Sequence, residues 1–102
     1  MSTLSAADVK KIVVACDAGM GSSVMLAGHL KRQLRATGVT VEHAPVSAIP
    51  ADADLVLTNA GLAERVRASA PGKPVVAFRI FLGDPAVERV VKALKEGGSI
   101  DV

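Results

Sequence analysis

Aromatic residues are nearly missing from this chain of 102 residues, which holds two Phe, no Tyr and no Trp. Single-stranded nucleic acid needs stacking platforms that the chain does not have. A net charge of +2, spread along the sequence, leaves no electrostatic footprint for a duplex. A lone cysteine excludes a disulfide framework and an all-cysteine metal cage, and it points to a reducing compartment. The N-terminus lacks the basic region of a secretory signal, and no window approaches the roughly 20 apolar residues that cross a bilayer. A cytoplasmic location is the expectation, and no motif asks for a metal or a cofactor.

What the chain does contain is aliphatic. Half of it is hydrophobic, enough to exclude a disordered tail as its main content, and its length suits one domain. Lys11 to Cys16 is a β-branched run that reads as a buried strand. From about Ser22, Val24, Met25, Ala27, Leu30 and Leu34 recur at helical spacing, with Lys31, Arg32 and Arg35 on the other side and Gly38 as the stop. Strands are predicted at Val39 to His43, at Asp54 to Thr58, and at Val75 to Phe78 with a possible extension through Ile80. A short helix carries Leu62, Ala63, Val66 and Ala70. A last helix is opened by Asp84-Pro85 as cap and first-turn proline and buries Val87, Val90, Val91 and Leu94. No helix is predicted between the second and third strands.

Strands alternating with helices imply a single α/β domain, a four-stranded parallel sheet with three helices and right-handed crossovers. Residues 10–97 make up the predicted domain, with 1–9 a flexible N-terminus and 98–102 a loose tail. Ligands of such sheets bind beyond the carboxyl ends of the strands, which selects Cys16 to Ser23, Thr58 to Gly61 and Arg79 to Asp84.

Chemistry concentrates in the first of these loops. Asp17-Ala18-Gly19-Met20-Gly21-Ser22-Ser23 joins a strand end to a helix start, where unpaired N–H groups and about half a positive charge favour an anion. Gly19 and Gly21 let the amides turn inward, and Ser22 and Ser23 add hydroxyl donors. The same field favours a thiolate at Cys16, a nucleophile beside its own phosphate cradle. A lone cysteine at a strand end is commonly core packing, and its place before this loop tips the reading to chemistry.

Other phosphate loops fit less well. No Gly-Lys-Ser/Thr follows, which excludes a P-loop NTPase, and the dinucleotide pattern begun by Gly19 and Gly21 breaks at Val24. A Cys-x5-Arg phosphatase is the stronger rival, with Asp84-Pro85 suited to a general acid. The sixth residue after Cys16 is Ser22, however, so the guanidinium clamp on the transition state is missing, and Asp84 reads more simply as a helix cap. His29 lies roughly 12 Å along its helix, too far to serve the thiol, and His43 reads as solvated. What remains is a site that accepts a phosphoryl group on sulfur and holds it.

The loop from Cys16 to Ser23 closely resembles the phosphocysteine loop of the enzyme IIB component of the bacterial phosphotransferase system, mannitol type. The similarity continues through Asp54 to Thr58, Leu62 to Arg65 and Phe81-Leu82. The resemblance implies flavodoxin-like wrapping, shared with the low-molecular-weight phosphatases. It implies that Cys16 takes phosphate from a phosphohistidine of an enzyme IIA partner. Cys16 then passes it to a hexitol, mannitol first, held by the membrane-embedded IIC partner, at the inner face of the cell membrane. It places the phosphate against residues 17–23, with Ser23 as hydroxyl donor; Asp17, itself an anion, is expected to brace the loop. Asn59-Ala60-Gly61 and Arg79-Ile80 depart from the mannitol pattern and bear on the sugar and the partners. Arg79 is either a strand-end surface charge or a source of positive potential. Met20 and Leu82 are either buried or exposed as a docking surface for IIA. A regulatory module phosphorylated on Cys16, and a degenerate hydrolase, are the alternatives. The modest size favours a monomer.

Overall fold

The computed structural model describes residues 3–16, 21–80 and 83–101, and of residues 21–23 and 101 the backbone alone. Strands are β1 (Thr3–Ser5), β2 (Lys11–Cys16), β3 (Thr40–Pro45), β4 (Leu55–Asn59), β5 (Val75–Phe78) and β6 (Ser99–Asp101). Helices are α1 (Gly21–Gln33), α2 (Ala63–Ser69) and α3 (Pro85–Glu96). β2 to β5 form a four-stranded, all-parallel sheet in the order β3-β2-β4-β5. The first of these strands in the chain therefore lies inside the sheet, and the chain winds outward from it in both directions, as in flavodoxin-like doubly wound folds.

Alternation along the strands divides the core in two. Ile12, Val14, Leu55, Leu57, Val76 and Phe78 point to one face, where Leu26, Ala27, Leu30 and Leu34 of the α1 segment and Val87, Val90, Val91 and Leu94 of α3 cover them. Val13, Ala15, Ala44, Val56 and Val75 point to the other, under Val66 of α2. No α-helix joins β3 to β4, as expected. A 3-10 turn at Val46–Ala48 takes its place, held where the Ser69 hydroxyl donates to the Val46 carbonyl at 2.7 Å. Farther along the same connection, the Lys73 ammonium donates to the carbonyls of Ala51 and Ala53.

Three expectations need correction. The ends of the chain, read as a flexible N-terminus and a loose tail, pair as an antiparallel ribbon, Thr3 with Asp101, Leu4 with Ile100 and Ser5 with Ser99. Ile100 is buried against the α1/α3 side of the core, and that burial organises the ribbon. Val24 and Met25, read as part of the inward stripe of α1, are 50% and 63% exposed. At 100° per residue the buried face centres on Leu26, Leu30 and Leu34, which turns Met25 almost directly outward. Finally, β5 stops at Phe78 and does not continue through Ile80, because a carboxylate captures the next two amides.

Candidate functional site

In a parallel sheet every strand ends at the same edge, so Cys16, Pro45, Asn59 and Phe78 lie together at the carboxyl edge. Cys16 closes β2, one of the two inner strands, opposite Pro45 of β3. By strand alternation its side chain follows Ile12 and Val14 toward the α1/α3 face. The residue is 8% exposed and counts among the buried core residues. Its Sγ stands 3.9 Å from the Ala44 carbonyl oxygen, to which the thiol donates.

Gly21 opens α1 five positions after Cys16, and Ser22 and Ser23 lie in its first turn. That turn carries no acidic residue, whereas Lys31 and Arg32 sit in the last one. The positive end of the helix dipole therefore lies at the carboxyl edge with no carboxylate of that turn to neutralise it. Asp17, Ala18, Gly19 and Met20 of the predicted cradle, and Leu82 of the predicted docking surface, lie outside the described residues, as do the side chains of Ser22 and Ser23.

Two polar side chains are buried among the described residues, Thr58 and Asp84, and both belong to this edge. The Thr58 hydroxyl donates to the carbonyl of Ala15, the residue before Cys16, at 3.0 Å. Asp84 caps α3 as expected, its Oδ1 accepting from the Ala86 amide at 2.8 Å. Its Oδ2 also accepts from the amides of Arg79 and Ile80 at 2.7 and 3.0 Å, which is the capture that ends β5. Burial pushes the Asp84 carboxyl up, but the amides of Arg79, Ile80, Ala86 and Val87 outweigh it and hold it below the usual carboxylate range.

Asp84 is thus an ionised acceptor with both oxygens engaged, a poor general acid. Arg79 is exposed just past β5, and β5 lies two strand spacings from β2, about 10 Å. Asn59 folds back on itself, its side-chain oxygen accepting from the Gly61 amide at 3.0 Å. His29 and His43 stand apart from the thiol: His29 lies beside Gln33 on α1, with Nε2 to Nε2 3.2 Å. His43 is exposed on β3 opposite Val14.

At the opposite, amino edge several charges pair. Lys11 Nζ lies 3.1 Å from Asp52 Oδ1 and 3.2 Å from Glu42 Oε1, and Asp54 accepts from the amides of Lys10 and Lys11 at 2.9 Å each. No described helix is long and apolar enough to cross a membrane.

A cysteine ending an inner parallel strand, ahead of a helix start free of acid, places a thiol at the carboxyl edge of a doubly wound α/β domain. The family described as "PTS system, Lactose/Cellobiose specific IIB subunit" matches residues 11–99, and the chain belongs to it. Curated relatives include the mannitol-specific EIICB component of Geobacillus stearothermophilus, 37% identical over 88% of this chain and 20% of that protein. The mannitol-specific cryptic EIICB component of Escherichia coli K12 is 39% identical over 84% and 19%. The mannitol-specific EIICBA component of the same strain is 40% identical over 79% and 14%. The chain spans a fifth or less of the length of these relatives. A flavodoxin-like domain from Synechococcus superposes with a TM-score of 0.44 at 18% identity, covering 85% of this chain and 74% of that one.

Proposed function

We propose that the chain is a phosphoryl carrier of sugar uptake, with Cys16 as the residue that bears the phosphate. The observation that carries this reading is the place of the thiol at the end of an inner strand, at the edge where an acid-free helix start faces outward. In the first step the Cys16 sulfur attacks the phosphorus of a phosphohistidine on enzyme IIA. The P–N bond breaks as the S–P bond forms, and the thiol proton ends on the departing imidazole. In the second step a sugar hydroxyl held by IIC attacks the same phosphorus. The P–O bond forms, the S–P bond breaks, and the sulfur regains a proton in place of the one the hydroxyl releases.

The amides of residues 17–23 and the Ser23 hydroxyl are the proposed phosphate donors, in keeping with the acid-free turn behind them. Met20, Arg79 and Leu82 are the proposed partner-facing residues, of which exposed Arg79 brings a cation to the rim. The relatives favour mannitol as the sugar, while the family description names lactose and cellobiose. The partner IIC places the domain at the inner face of the membrane, as the fused organisation printed for the relatives suggests.

Hydrolysis is disfavoured by two observations. Ser22 stands where a phosphatase carries arginine, and the Asp84 carboxylate is committed to backbone amides. The reading is tested by incubating the protein with a phosphorylated IIA protein and measuring its intact mass, with Cys16→Ser as control. One phosphate on the wild type and none on the variant is expected. Membranes containing IIC should then move it to mannitol in preference to lactose or cellobiose. Steady release of inorganic phosphate from an aryl phosphate would support the hydrolase instead.

A further inference from the structure

Thr58 is a hydroxyl among aliphatic neighbours, completely buried at 0% exposure. A buried hydroxyl destabilises a core unless it is bonded, so its presence asks what the bond achieves. Its partner is the carbonyl of Ala15, and that carbonyl belongs to the peptide unit whose nitrogen is Cys16. Thr58 stands opposite Ala15 in the register of β4 on β2. On the other side of β2, Cys16 stands opposite Pro45 of the edge strand β3. The side chain from β4 thus grips the peptide that joins Ala15 to Cys16, the last residue of β2.

We propose that Thr58 is a positioning residue for phosphoryl transfer: its hydroxyl fixes the Ala15–Cys16 peptide, and so the direction from which the Cys16 sulfur meets phosphorus. In-line displacement is sensitive to that direction, and a sulfur carried on the last residue of β2 depends on such a grip. The inference rests on the carrier reading.

The test compares wild type, Thr58→Val and Thr58→Ser in the rate at which a phosphorylated IIA protein loads Cys16, followed by intact mass. Each rate is taken at a temperature where all three are fully folded by circular dichroism. Valine keeps the shape and removes the hydroxyl, and serine keeps the hydroxyl. Loading of Thr58→Val is expected to slow roughly tenfold, with Thr58→Ser within about twofold of wild type. Equal rates in all three would overturn the inference and leave the carrier reading standing, as would slowing of serine as much as valine, which tracks packing. A wild type that takes no phosphate sinks the carrier reading, and this inference with it.

Discussion

Asp84 shows how much one carboxylate organises at this edge. Its two oxygens gather the amides of Arg79, Ile80 and Ala86, ending one strand and starting one helix. An Asp-Pro pair before an apolar helix reads as a cap from sequence alone, because the first helical amides need an acceptor there. The grip on Arg79 and Ile80 was not legible, since nothing local ties a cap to amides that precede it. Thr58 escaped for the same reason: its partner lies 43 positions away in the chain.

Asp84→Asn keeps one acceptor oxygen and turns a donor toward amides, so a loss of about 1–3 kcal/mol is expected in urea unfolding at neutral pH. The folded carboxyl lies below its unfolded value of about 3.9. Its stabilisation is therefore complete above that value and lost as pH falls through the lower folded one. The gap between wild type and variant should close over that acid range; a gap that persists there would contradict the assignment.

Among the elements, α3 was the easiest to read and α1 the hardest. Val87, Val90, Val91 and Leu94 fall at i, i+3, i+4 and i+7, one stripe of a helix whose other side is mostly charged, and all four are buried. The α1 segment holds Val24, Met25, Leu26 and Ala27 in a row, and four adjacent apolar residues cover every side of a helix. Only the docked sheet decides which of them face in. Leu30→Ala should therefore cost about 2–5 kcal/mol, and Met25→Gln less than about 0.5 kcal/mol, in thermal or denaturant melts. Near-equal costs would mean that α1 is rotated relative to this description. The four parallel strands were legible because β-branched runs are bounded by Gly, Pro and Asp. The terminal ribbon was not, because three residues at each end bear no pattern of their own, and their pairing joins opposite ends of the chain.

For the molecule as a whole, the two edges of the sheet divide the work. Ion pairs and backbone anchors gather at the amino edge around Lys11, Asp52 and Asp54. The thiol and both buried polar groups occupy the carboxyl edge. Because β1 leads into β2 and α3 returns from the far edge, the β1–β6 ribbon lies on the amino side. A folded protein fused to either end is therefore expected to leave the loading rate of Cys16 within about twofold of the unfused chain. A strong loss on fusion at either end would show that the ribbon stands nearer the thiol.

The ribbon also sets how the molecule answers to tension. Thr3 pairs with Asp101 at its open end, so a force drawing the two ends apart meets one rung at a time, as in a zip fastener, and no rungs are sheared together. Held between optical tweezers by its ends, the protein should yield first in a small extension at low force. The parallel sheet, and the sulfur it presents, would stay whole until that fastener has run out.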